Sequence, residues 1–178
     1  MSIPNILSVI RIILIPIFTI EFVYSNNYVV AGVILVISGI TDCLDGYIAR
    51  RFNMITDIGK VLDPIADKLT QLMAVFCLAM EGHIAMWILF AFLAFKDIAL
   101  VVGGIAIYKK KDVVVSSNRY GKLATIIFYI AITLMVLFHS NITETWTNLV
   151  GALLILAGAV AFGGYISYFF SIKSKKIK

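Results

Sequence analysis

The chain has 178 residues, 61% of them hydrophobic, and a formal net charge of +5. A mean hydropathy of +1.00 excludes a soluble domain of ordinary composition, and the length suits about six membrane spans of roughly 20 residues each. Cys43 and Cys77 give neither a disulfide framework nor a metal-ligand spacing and read as packing residues; no nucleic-acid partner is expected.

Residues 6–24 form a first span, opened by Pro4 with Ser2 as a cap and kinked at Pro16. Pro4, Asn5 and Arg11 at its start, with no small-residue cleavage site after it, argue against a cleavable signal peptide. Arg11 has two readings, snorkelling to the headgroups or facing inward to a phosphate. Residues 25–28 make an uncharged turn. A second span starts at Val29 and continues through Asp42 and Asp45 to Arg50, and Arg51 faces the headgroups. Residues 52–60 are a polar link, in which Thr56 is a helix cap or a ligand contact and Asp57 an alternative cap.

The third helix runs over residues 61–80, with Pro64 tolerated near its start and Asp63, Asp67 and Lys68 on it. Lys68 is a local counter-ion or an outward charge. After a loop holding His83, residues 84–108 form a fourth span that contains Lys96 and Asp97. These neighbours point about 100° apart, so they are not an i,i+4 pair, and Asp97 is free to partner another helix. The lysines at 109–111 precede a polar link to Tyr120, and Arg119 and Lys122 stand at the mouth of a fifth span over 123–138. A turn containing Trp146 leads to a sixth span over 147–170, where Gly158, Gly163 and Gly164 allow close packing, followed by a basic tail. The expected fold is one all-α polytopic membrane domain of six transmembrane helices over 1–178, with no internal repeat.

Lysines and arginines crowd the links after spans two and four and the tail. They are absent from the loops after spans one, three and five. The positive-inside rule then places both termini and the acidic stretch in the cytoplasm.

That acidic stretch carries the chemistry. Asp42 and Asp45 are three apart, Asp63 and Asp67 four apart, so each pair shares one helix face. Acids in so apolar a setting are costly and by default functional. Four carboxylates brought together repel one another unless protonated or neutralised by cations, and an all-oxygen set suits Mg²⁺ or Mn²⁺. Two such ions commonly serve phosphoryl chemistry. A cation-translocating protein using the four acids as a path is the reading from a different class, but it does not call for Arg50 and glycines at these spacings.

Asp42 and Asp45, then Gly46, Ala49, Arg50, Gly59, Asp63 and Asp67, fill every fixed position of D-x2-D-G-x2-A-R-x8-G-x3-D-x3-D. The chain thereby resembles the CDP-alcohol phosphatidyltransferases. The resemblance implies transfer of a phosphatidyl group from CDP-diacylglycerol to an alcohol, with release of CMP. It implies metal ligation by Asp42, Asp45, Asp63 and Asp67, with two ions, Mg²⁺ or Mn²⁺. Asp67 would also accept the proton of the attacking hydroxyl. Gly46, Ala49 and Arg50 match the nucleotide-binding part, to which Asn5, Ser8 and Thr56 are added. The stretch Arg119-Tyr120-Gly121-Lys122 with Thr125 is similar to one that many members carry before their fifth helix. The short build, the Pro4-Asn5 opening and the wording from Asp63 to Lys68 look like the bacterial phosphatidylglycerophosphate synthases, a branch whose acceptor is glycerol 3-phosphate. Arg11, Lys96, Arg119 and Lys122 are the candidates for the acceptor's phosphate. Phe95-Lys96-Asp97 departs from the arginine-acid pair often found in that branch, which keeps open a cardiolipin synthase taking phosphatidylglycerol. A homodimer in a bacterial inner membrane, with its site facing the cytoplasm, is the implied setting.

Overall fold

The computed structural model describes residues 3–52, 56–111 and 119–174. Within them, the side chains of 3–4, 46–47, 49–50, 57–58, 60, 103–111, 119–124, 161 and 164–174 are not described. Six α-helices follow in order: α1 Ile3–Thr19, α2 Tyr28–Arg51, α3 Asp57–Met80, α4 Ile84–Lys111, α5 Arg119–Leu137 and α6 Glu144–Ser174. No strand occurs among the described residues, and the protein is an all-α membrane protein.

Among the described residues three segments are long and apolar enough to cross a bilayer: Asn5–Tyr24, Tyr28–Asp45 and Ile84–Val102. The third helix of the expected six spans falls outside that group because it is amphipathic, with Asp63, Asp67 and Lys68 among its apolar residues. Within the described parts of α5 and α6 the apolar runs are Thr125–Leu137 and Glu144–Val160. Ile13, Ile17, Val33, Ile37, Ile127 and Leu153 are exposed, as a surface solvated by acyl chains requires.

Helix boundaries follow local chemistry. Asn27 caps α2 by accepting from the Val30 amide at 3.3 Å. Thr56, rather than Asp57, caps α3 by accepting from the Gly59 amide at 3.0 Å. That cap starts α3 at Asp57, so Pro64 lies beyond the first turn, and its missing N–H leaves the Lys60 carbonyl without its usual donor. Pro16 does not end α1; the irregularity comes just after it, as a π-helical turn over Ile20–Tyr24. Helix α4 runs on through the lysines at 109–111, and α6 begins at Glu144, earlier than the apolar run suggested.

The helices pack as a closed ring in the order α1, α2, α5, α6, α4, α3 and back to α1. Sequence neighbours α2 and α3 touch only lightly, because α1 packs along both. Phe18, Phe22, Leu35, Leu78, Met86, Leu89 and Val136 form the buried centre. Small residues set the close approaches. A Cβ on Gly32 would collide with Leu137 of α5, and one on Gly158 would meet Phe92 of α4 at 2.7 Å. A Cβ on Gly163 would meet nothing within 4 Å among the described residues, and the surroundings of Gly164 on α6 are not described.

Candidate active site

The site lies where the C-terminal part of α2 and the N-terminal part of α3 flank the first turns of α1. Asn5, Ser8 and Arg11 are spaced three apart on α1, so they share one face, and all three are buried. Each reaches a different part of the acidic stretch.

Arg11 is completely buried. Its Nη1 lies 2.8 Å from Asp42 Oδ1, and its Nη2 donates to Asp45 Oδ2. Asp45 is almost fully enclosed, whereas Asp42 is about half open, at 44% side-chain exposure. One guanidinium thus spans both carboxylates of α2. This decides between the two readings of Arg11: it faces inward, and the groups it meets are acids.

Ser8 Oγ donates to Asp63 Oδ1 on α3. The Thr56 hydroxyl, besides capping α3, donates to Asn5 Oδ1 at 2.9 Å. A Cβ on Gly59 would meet Asn5 Oδ1 at 2.7 Å and Thr56 Oγ1 at 3.0 Å. The fixed glycine is therefore a close-approach position, needed for space and not for a left-handed backbone.

Asp67, one turn past Asp63, is approached by Gln71 Nε2 at a long 3.4 Å from both carboxylate oxygens. Asp42, Arg11, Lys68 and Asp97 are near enough to act on it electrostatically. Lys68 turns to Asp97 of α4 at 3.5 Å and to Gln71 Oε1 at 3.5 Å. Asp97 therefore does partner another helix. It also meets its neighbour Lys96 at 3.2 Å, because the long lysine stem reaches across the angular offset. One turn before Asp42, Ser38 is buried and lies 3.5 Å from the Tyr129 hydroxyl of α5.

Among the described residues no three acids, histidines or cysteines gather closely enough to hold a metal ion as they stand. Asp42 and Asp45 are drawn to Arg11, and Asp63 to Ser8. The donor chemistry nevertheless fits a hard cation: all four groups are carboxylates, and a cationic guanidinium already sits between two of them. Asp42, Asp45, Asp63 and Asp67 are the residues that would hold it. Gly46, Ala49 and Arg50 lie on α2 and Arg119 and Lys122 on α5, but their side chains fall outside the described residues.

The α1 partners of the acids were legible only in part. Asn5 and Ser8 enter the sequence reading through resemblance and Arg11 as a phosphate candidate. Their common spacing of three is the signal that one helix face serves the whole site. No motif singles out Gln71, although it stands four residues after Asp67.

A model of the CDP-alcohol phosphatidyltransferases matches residues 1–163. The chain belongs to that family. A relative in Aquifex aeolicus, named CDP-diacylglycerol--glycerol-3-phosphate 3-phosphatidyltransferase, is 31% identical over 169 residues, covering 91% of this chain and 94% of its own. One of the same name in Rickettsia typhi is 30% identical over 177 residues, covering 97% and 98%. A Mycobacterium tuberculosis protein named probable phosphatidylglycerophosphate synthase is 30% identical over 164 residues, covering 89% and 75%. The chain is thus a phosphatidyltransferase of a family that is metal-dependent in general.

Proposed function

We propose that this phosphatidyltransferase makes phosphatidylglycerophosphate, moving the phosphatidyl group of CDP-diacylglycerol onto glycerol 3-phosphate and releasing CMP. The observation that carries the reading is the complete acidic signature at the adjoining ends of α2 and α3, both held by one face of α1. The names of relatives covered almost end to end favour glycerol 3-phosphate as the acceptor.

The acids then divide the work. Asp42, Asp45, Asp63 and Asp67 would hold Mg²⁺ or Mn²⁺, as two ions, which when bound offset the charge of the diphosphate and polarise its oxygens. Asp67 takes the proton from the acceptor's hydroxyl as that oxygen bonds to the phosphatidyl phosphorus. The phosphorus–oxygen bond to CMP breaks, and CMP leaves with the electron pair. A carboxylate so placed is a weak base, so Asp67 contributes by position as well as by basicity. Arg50 is suited to the diphosphate, since its planar fork binds two phosphate oxygens at once. Gly46 and Ala49 leave room for the nucleotide beside it, and Asn5, Ser8 and Thr56 complete that side. Lys96, Arg119 and Lys122 are candidates for the acceptor's phosphate, of which Lys96 would first have to leave Asp97.

The basic residues at the end of α2 (Arg50, Arg51), the start of α3 (Lys60), the end of α4 (Lys109 to Lys111) and the start of α5 (Arg119, Lys122) support a cytoplasmic site in a bacterial inner membrane, where soluble glycerol 3-phosphate is at hand. A homodimer is proposed on the resemblance alone. The test is CMP release by purified protein given CDP-diacylglycerol, Mg²⁺ or Mn²⁺ and a panel of alcohols. Release with glycerol 3-phosphate is expected. Release with phosphatidylglycerol alone would replace this reading by a cardiolipin synthase, and no release with any alcohol would remove it.

A further inference from the structure

The Arg11 guanidinium bridges Asp42 and Asp45, two of the four carboxylates proposed above to hold a divalent cation. It is wholly buried, and each of its terminal nitrogens meets one of the two carboxylates. Its Nε and Nη1 lie buried with no well-aligned hydrogen-bond acceptor among the described residues. The guanidinium is therefore held by charge more than by a full set of hydrogen bonds, although it has five donors to offer. Nearby, Ser8 holds Asp63 from the same face of α1, and among the described residues no three acids converge while these contacts stand.

We propose that Arg11 is a resident counter-ion which a divalent cation displaces from Asp42 and Asp45, so that loading the cation frees a guanidinium beside the substrate's phosphates. The proposal rests on the metal-dependent reading above. A guanidinium and a divalent cation repel each other and draw on the same carboxylate oxygens, so the two occupancies compete. Before the cation arrives, Arg11 keeps the α2 acids neutralised in an apolar bundle. Afterwards it remains tethered to α1 within reach of the site, where a phosphate offers the paired acceptors that its fork fits. Binding is thereby ordered, cation first and anionic substrate second.

The test is Mn²⁺ binding to the metal-stripped full chain in detergent without lipid substrate, followed by calorimetry and by loss of the free-ion paramagnetic resonance signal. Arg11→Gln is expected to bind Mn²⁺ more tightly by about tenfold, an ordinary size for coupling between competing ligands. Arg11→Lys, which keeps the charge, should stay near the wild type. Equal or weaker binding by a folded Arg11→Gln overturns the proposal. A second measurement needs no variant: labelling of wild-type Arg11 with phenylglyoxal, read by peptide mass spectrometry. Mn²⁺ should raise that labelling. Unchanged labelling with Mn²⁺ bound, or no Mn²⁺ binding by either protein, also overturns it. CMP release by the wild type is scored separately. An active enzyme whose Arg11 stays protected rejects the displacement alone, and an inactive one rejects the reading on which it rests.

Discussion

Asp42, Asp45 and Asp63 each meet a donor from α1, whereas Asp67 meets Gln71 of its own helix. Its weaker hydrogen bonding leaves its oxygens more available to a proton or an incoming hydroxyl. Asp67→Asn should lower CMP release by about 10²–10⁴-fold, the usual size of a lost acid–base group, while the melting temperature changes little. Gly59 tests the other half of the site. Gly59→Ala places a methyl group 2.7 Å from Asn5 Oδ1, so Asn5 and the α3 cap must separate. A loss of about 1–3 kcal/mol is expected from this overpacking, and Asn5→Ala in the same chain should recover part of it, both measured by thermal melting. At this scale the acids and the glycine were readable from spacing. The partners of Asp42 and Asp45 were not, because the pairing of Arg11 with them is set by how α1 leans on α2, which no local pattern encodes.

Helices meet where a small residue faces a large one, and that match decides which elements adjoin. Gly32 of α2 receives the Leu137 side chain of α5, so Gly32→Ala should destabilise the chain by about 1–3 kcal/mol. Adding Leu137→Ala should make the pair of changes less costly than their sum, as a double-mutant cycle in the melting assay would show. At the same end, His139 packs against Tyr28 with ring centroids 4.3 Å apart and edge-on against Phe22 at 5.4 Å, and its Nε2 lies 3.8 Å from Glu81. Burial pushes its imidazole below the ordinary value of 6.5, against the opposing pull of Glu81. The unfolded chain then takes up a proton more readily than the folded one. The contribution of His139 is present above about pH 6.5 and declines as the pH falls through it. Melting between about pH 7 and 5.5 should show a decline that His139→Gln reduces; an equal decline in that variant would refute the assignment. Six helices were legible from hydropathy. Their ends were not always so, since the cap at Thr56 and the run through lysines 109–111 depend on hydrogen bonding that hydropathy does not report.

For the molecule as a whole, the ring order of helices was hidden from the sequence, because it joins α2 to α5 and α4 to α6 across long stretches of chain. Metal dependence belongs to this scale, since the acids tie three helices together. A cation bound at 100 times its dissociation constant should stabilise the folded chain by about 2.7 kcal/mol. Chelation should therefore lower the melting temperature of the wild type, and Asp63→Asn should shrink that difference; an identical shift in the variant would place the ion elsewhere.

The position of α1 between α2 and α3 also bears on biosynthesis. A chain emerging from the ribosome inserts its first helix before the acids of the second have been made. Arg11 is thus waiting in the bilayer when Asp42 and Asp45 arrive, and neither carboxylate need face hydrocarbon alone. Arg11→Leu should therefore make membrane insertion of the acidic second helix less efficient, as the inserted fraction of a chain truncated after α2 would show.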